Sequence, residues 1–176
     1  MQDVNWLNDD EQQLWRVVIA AFRGVERSVD HRLQEVAGIS SADFSVLVVL
    51  SESPEGSIRM RELCQELAWD RSRVSHQITR MGKRGLVAKC KCEGDNRGIN
   101  VTITDKGREV VEKAAPDHVA SVRRMVFDPM GPIDFEASTA LFTRIAAAAA
   151  GERGEEVAIG SGSIASPRDH VPGEAW

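Results

Sequence analysis

The chain has 176 residues, 42% of them hydrophobic and 28% charged, with a formal net charge of −5. That size and balance suit one core with a helical extension, and no apolar run approaches the ~20 residues a membrane span needs. The N-terminus Met1-Gln2-Asp3-Val4-Asn5 lacks a basic stretch followed by an apolar one, and only three cysteines occur, so a reduced, cytoplasmic protein is expected, without signal peptide or membrane partner.

In chain order, Asn8-Asp9-Asp10-Glu11 has the form of an N-cap with a carboxylate three residues on, and opens a long helix. Leu14, Val18, Ala21, Phe22, Val25, Val29 and Leu33 recur at helical spacing until Gly38, which predicts a helix over about 8–37. Ser41-Ala42-Asp43 starts a second helix, apolar almost all round from Phe44 to Leu50 and therefore buried. Pro54-Glu55-Gly56 breaks it, and Ile58 is expected to form a single strand residue beside a later hairpin, giving three short strands. Leu63, Cys64 and Leu67 make the buried side of a supporting helix, and Asp70 caps the next one.

That next helix runs through Arg71-Ser72-Arg73-Val74-Ser75-His76-Gln77-Ile78-Thr79-Arg80-Met81-Gly82-Lys83-Arg84. At 100° per residue Val74, Ile78 and Met81 share one stripe, while Ser72, His76, Thr79 and Lys83 lie opposite with Arg73 and Arg80 flanking. One face can dock on a core and the other offers only hydrogen-bonding and cationic groups, a division suited to a DNA major groove. An ordinary surface helix with a solvated basic face would look the same in isolation. After Gly85, however, the period becomes two. Ala88, Cys90 and Cys92 alternate with Val87, Lys89 and Lys91, and Ile99, Val101 and Ile103 alternate with Asn100, Thr102 and Thr104, about a tip at 93–98. Helix, turn, basic helix and ribbon are the order of a winged helix-turn-helix, in which the tip cation Arg97 can reach a minor groove. Residues 59–108 hold 12 Lys+Arg against 6 Asp+Glu, leaving 10 against 21 elsewhere. A basic module on an acidic body suits site-specific binding better than indiscriminate coating of nucleic acid.

Thr104 caps a further long helix from Asp105 to about Phe127, in which Pro116 removes one backbone hydrogen bond and should kink it. Residues 128–132 form a turn. A last helix runs from Ile133 through Phe135, Leu141, Phe142 and Ile145 into Ala146–Ala150, with Gly151 as its stop. Residues 151–176, rich in Gly, Ser, Pro and charge, read as a disordered tail. The fold expected is therefore mainly α with a small β-wing (α+β). A DNA-binding module at about 57–104 lies between dimerisation helices at about 8–37 and 105–150. The terminal helices carry more apolar face than a ~50-residue module could cover, so a two-fold homodimer is expected, reading a pseudo-palindromic operator with two recognition helices one DNA turn apart.

The stretch from Trp69-Asp70-Arg71-Ser72-Arg73 to Met81, then Lys83-Arg84-Gly85-Leu86-Val87, Asp95-Asn96-Arg97-Gly98 and Val101-Thr102-Ile103-Thr104-Asp105-Lys106-Gly107, resembles the MarR family of bacterial transcriptional regulators over about residues 6–150. The Trp6-Leu7 to Trp15 opening and the Pro116 segment are similar to those of actinobacterial members. The resemblance implies an obligate homodimer with a triangular, mostly helical body. It implies double-stranded DNA as partner, met through Arg71, Ser72, Arg73, Ser75, His76, Thr79, Arg80, Lys83, Asp95 and Arg97. Arg97 would enter the minor groove while Asp95 holds the wing by charge pairing. It further implies a repressor of a nearby operon, acting in a stress response and released by a small, often aromatic, acid.

Trp15, Arg16, Arg23, His31 and His118 lie on the arm helices where such a ligand would sit. The arginines would meet its carboxylate and Trp15 its ring, although solvated arginines are the commoner outcome on an amphipathic helix. Cys90 and Cys92, two apart on one strand, stand at or beyond disulfide reach, no further metal ligands are spaced nearby, and Cys64 lacks a partner cysteine. All three read as structural. The family's peroxide sensors carry a cysteine near the start of the first helix, and none stands there. No nucleophile elbow or phosphate loop occurs, so neither enzyme nor cofactor is expected. The competing readings are an effector-independent or architectural DNA binder and a winged module that meets an acidic protein.

Overall fold

In the computed structural model residues 4–92 and 95–153 are described, with the side chains of all of them except 91–97 and 153. Residues 93–94 of the expected ribbon tip at 93–98, the side chains of Cys92, Asp95 and Arg97, and the tail beyond 153 lie outside these residues.

Helix α1 (Asp9–Ala37) begins as its sequence dictates. Asn8 Oδ1 accepts the Glu11 amide at 2.9 Å and Glu11 Oε2 accepts the Asn8 amide at 2.8 Å, satisfying two donors no helical carbonyl can reach. It closes on Gly38 in the left-handed region. Ser40 and Asp43 repeat the reciprocal cap at the start of α2 (Ser41–Glu52), whose Phe44, Val46, Leu47 and Leu50 are buried as their continuous apolar run requires. A short turn, Pro54–Gly56, leads to β1 (Ser57–Arg59). Gly56 is required there: its φ is 66°, and a Cβ would stand 2.8 Å from a methyl carbon of Ile103.

Next come α3 (Met60–Glu66), α4 (Arg71–Lys83), β2 (Val87–Cys92) and β3 (Asp95–Ile103). The antiparallel sheet has the order β1-β3-β2, with Ile58 opposite Val101 and Val87 opposite Ile103, so the expected third strand forms beside the ribbon. The register slips between Lys91 and Cys92, marking where the ribbon leaves the core. Val87, Val101 and Ile103 close one side of a core otherwise built from Leu33, Ile39, the α2 residues, Leu63, Val74, Ile78, Met81 and Val111.

Helix α5 (Asp105–Val122) is capped by Thr104 Oγ1, which accepts the Gly107 amide at 3.0 Å. Gly107 lets α5 lie against the carbonyl oxygen of Leu86, 2.2 Å from where a Cβ would be. The helix runs on through Pro116. Its last turn widens over Arg123–Phe127, where Asp128 N–H reaches back five residues to the Arg123 carbonyl at 2.8 Å. Helix α6 (Pro132–Arg153) passes through Gly151 without stopping, a correction to the expected end, because its backbone keeps helical hydrogen bonding beyond that residue.

The cysteine expectation also changes. Because Val87 faces the core, its alternate neighbours Ala88 and Cys90 face outward, and Cys90 is exposed rather than structural. Cys64 is half-buried, and burial pushes its thiol above the ordinary pKa. Both arms expose large apolar side chains, with Leu14 and Trp15 on α1 and Phe135 and Ile145 on α6 all more than half uncovered. Among the described residues no single helix is long and apolar enough to cross a membrane.

Candidate nucleic-acid interface

Helix α4 is positioned from both ends and from below. At its start Asp70 Oδ1 accepts the Arg73 amide at 2.8 Å. On its inner side Val74, Gln77, Ile78 and Met81, at spacings of three and four, are all essentially buried. Arg71, Ser72, Arg73, Ser75, His76, Thr79, Arg80 and Lys83 are exposed, so every helical residue the sequence nominated for DNA stands on the outer surface of this one helix.

Several of these side chains are already held. The Arg73 guanidinium carbon lies 4.0 Å from the centre of the Trp69 ring, a cation–π stack that extends it along the helix start. Thr79 Oγ1 donates to the Ser75 carbonyl at 2.8 Å and accepts from Lys89 Nζ at 2.9 Å, which ties the first ribbon strand to the helix. Arg80 donates to Gln77 Oε1.

Beneath the helix lies a buried polar network. Asp43 is 4% exposed and Gln77 2%. Gln77 Nε2 donates to Asp43 Oδ1 at 2.7 Å, Arg84 Nη1 to Asp43 Oδ2 at 2.6 Å, and Arg84 Nη2 to the Gly38 carbonyl at 2.7 Å. One carboxylate thereby binds the start of α2 and both the middle and the end of α4, and Arg84 carries the link on to the end of α1. A buried charge with this many donors is compensated, and the angle of α4 to the body follows from it. The sequence reading missed Asp43, Gln77, Arg84, Trp69 and Lys89. Gln77 gave a signal: an amide inside a stripe of Val74, Ile78 and Met81 must find a buried partner.

The proposed ligand residues do not form one group. Trp15, Arg16 and Arg23 come together with Ile19 and Ala20 in a furrow open to solvent on a single face of α1. His31 is elsewhere. At 1.5 Å per residue it lies roughly 22 Å along the helix from Arg16, exposed and 3.5 Å from Glu35. His118 is on α5 against Phe44, with ring centres 4.6 Å apart and a buried Nδ1 that has no hydrogen-bond partner among the described residues. Burial holds its pKa below the ordinary histidine value. Its neighbour Asp117 receives Arg32 Nε at 3.1 Å and pairs also with Arg32 Nη2, which fastens α1 to α5. That hydrogen bond keeps the Asp117 carboxyl below its ordinary range. Among the described residues no cluster of His, Cys, Asp or Glu suits a metal ion.

Comparison with known proteins gives a consistent picture. The family model for the MarR family matches residues 37–98, from the end of α1 to within β3. The fold is similar to a MarR family transcriptional regulator from Streptomyces coelicolor solved in complex with DNA. The two are 36% identical, with 82% of this chain and 91% of that one covered at a TM-score of 0.78. AbsC, another MarR family regulator from Streptomyces coelicolor, is 38% identical over 86% of this chain and 100% of its own, also at 0.78. Among curated sequences, the HTH-type transcriptional regulator PecS of Dickeya dadantii is 24% identical over 71% of this chain and 75% of its own length.

Proposed function

The chain belongs to the MarR family of transcriptional regulators, a family without enzymatic activity, and on that premise we propose that residues 6–150 act as a homodimeric, site-specific DNA-binding repressor in the cytoplasm. Helix α4 enters the major groove, and the ribbon, through Arg97, enters the adjoining minor groove. The observation that carries this reading is the exposed face of α4. Eight polar or cationic side chains stand on a helix whose opposite face is buried and whose tilt is held by Asp43. The complex of the 36%-identical Streptomyces regulator with DNA supports the same use of the fold. Two-fold pairing of chains is supported by the uncovered apolar faces of α1 and α6.

The regulated gene is a neighbouring one and the effector an aromatic acid, held where the Trp15, Arg16 and Arg23 furrow of one chain is closed by the other. A second reading, DNA binding with no effector, is favoured by the furrow's openness within a single chain. A mobility-shift assay on DNA upstream of the protein's own gene, followed by footprinting with and without benzoate and salicylate, tests both. A protected pseudo-palindrome released by an acid is expected. Protection unaffected by any acid would leave the effector-free reading, and no shift at all would sink the DNA-binding one.

A further inference from the structure

Given the DNA-binding reading of α4, on which this rests, we infer that Gln77 is a positioning residue that aims the Arg80 guanidinium at DNA, through a one-way chain of hydrogen bonds ending on Asp43. Gln77 lies in the buried stripe of α4, and its amide is bonded on both sides. A carboxylate only accepts and a guanidinium only donates. The amide therefore has one orientation, Nε2 inward to Asp43 and Oε1 outward to Arg80. A flipped amide would set oxygen against carboxylate and NH₂ against guanidinium.

Asp43 is itself buried and anchored by other bonds. Its second oxygen takes the Ser40 amide at 3.0 Å and Arg84 Nη1 at 2.6 Å, so the terminus of the chain cannot follow a wandering arginine. Every donor in the series points toward the carboxylate, an arrangement in which each bond polarises the next. Arg80 commits one of its five N–H groups to Gln77 and keeps the others on the exposed face. A guanidinium ordered in advance does not have to be ordered when DNA arrives. A fork of fixed orientation also discriminates a guanine edge, whereas a swinging cation finds any phosphate. Gln77 thus converts a buried charge at the α1–α2 corner into sequence preference at the surface.

The test uses the full chain carrying Gln77→Met, Arg80→Ala, or both. Methionine keeps the length and apolar volume of the side chain and removes the amide, leaving Asp43 its bonds to Ser40 and Arg84. Affinity is measured for the footprinted operator and for a random duplex. Gln77→Met should lower the operator-over-random ratio by roughly tenfold, the scale of one lost bidentate base contact. In the Arg80→Ala background it should lower the ratio no further. Equal losses in both backgrounds, or no loss in either, would overturn the inference while leaving DNA binding intact. Absence of DNA binding by the unmutated protein would instead remove the functional reading, and this inference with it. A second measurement needs no change at residue 77: the arginine side-chain nitrogen spectrum of the free protein should contain a slowly rotating guanidinium that disappears in Arg80→Ala. A spectrum unchanged by that substitution would also overturn the inference.

Discussion

Phe22 on α1 and Phe142 on α6 meet edge to face, their ring centres 5.9 Å apart and their planes at 81°, yet the two residues remain 54% and 43% exposed. Such a pair contributes about 0.5–1.5 kcal/mol beyond the area it buries. That is too little to hold the 22 residues of α6 against a single chain. With Leu7, Leu14, Trp15, Val18, Ile19 and Ile145 the two rings line a second furrow, between α1 and α6, so the contact is the floor of an apolar surface left uncovered by its own chain. In the proposed homodimer a second copy, with the same arms, would cover it.

Folding and pairing should accordingly be one process. Removal of residues 154–176 leaves α1 and α6 whole, and light scattering should find the assembly unchanged. Removal from Ile133 onward takes away the α6 half of the furrow and should give aggregation or loss of operator binding. A monodisperse monomer that still binds a full palindrome after the longer truncation would refute the dimer.

Asp43→Ala should cost about 2–4 kcal/mol of stability, read from urea denaturation. It strands the Gln77 amide in the core and removes the carboxylate half of the reciprocal cap of α2, while the residue 43 amide keeps its bond to Ser40 Oγ. The Arg84 share of that loss is discounted, because Arg84 is 42% exposed and water can replace its partner. A loss below ~0.5 kcal/mol would mean that the carboxylate does not hold α4.

How far the sequence disclosed these features depended on their range. Asn8, Asp70, Thr104 and the Val74–Ile78–Met81 stripe are governed by neighbours three or four residues away, and each sits where its spacing requires. The Asp43–Arg84 pair spans 41 residues and the Arg32–Asp117 pair 85, and nothing local announces either partner. Within one chain His31 and His118 do not join Trp15, for a related reason. Helical phase tells which residues share a face, but a 29-residue helix carries that face far beyond the reach of one ligand. The outward turn of Cys90 was open in the sequence because alternation fixes which residues share a face and not which face is buried.

His118 predicts a response to mild acid. Its folded pKa lies below the ordinary 6.5, because burial disfavours the charged ring. The unfolded chain therefore binds the proton first as pH falls. The stability contributed by the neutral ring is complete above about pH 6.5 and is lost as pH drops through the folded value. Asp117 is also lowered, but from 3.8, so its stabilisation by Arg32 fades only in stronger acid and the two windows separate. His118→Phe, which can still pack on Phe44, should flatten the stability profile between pH 7.5 and 5. An unaltered slope in urea titrations over that range would discard this account.

The stack of Arg73 on Trp69 predicts a graded pair of losses. An exposed cation–π contact is worth about 0.5–1 kcal/mol, so Trp69→Leu should weaken operator binding by roughly two- to fivefold. Arg73→Ala, which removes the group proposed to face DNA, should do more. His76→Ala acts at the centre of the helix and should alter base preference at one position. Selection from random duplexes decides this: an unchanged consensus in all three variants would assign specificity to DNA shape.

Arg97 tests the wing. Strand β3 opens with Asp95 opposite Cys92, past the irregularity at Lys91, so residue 97 belongs to the outer end of the ribbon and away from the core strands. Nothing in the folded core should depend on it, and Arg97→Ala is expected to leave thermal stability unchanged while weakening DNA binding. If its guanidinium meets a phosphate on entering the minor groove, one counterion fewer is released. The plot of log affinity against log salt should then become shallower by about one unit. A contact with base edges alone would lower affinity at every salt concentration without changing that slope. Affinity identical to the unmutated protein from 50 to about 300 mM salt would exclude the ribbon from the interface and leave α4 as the sole reader.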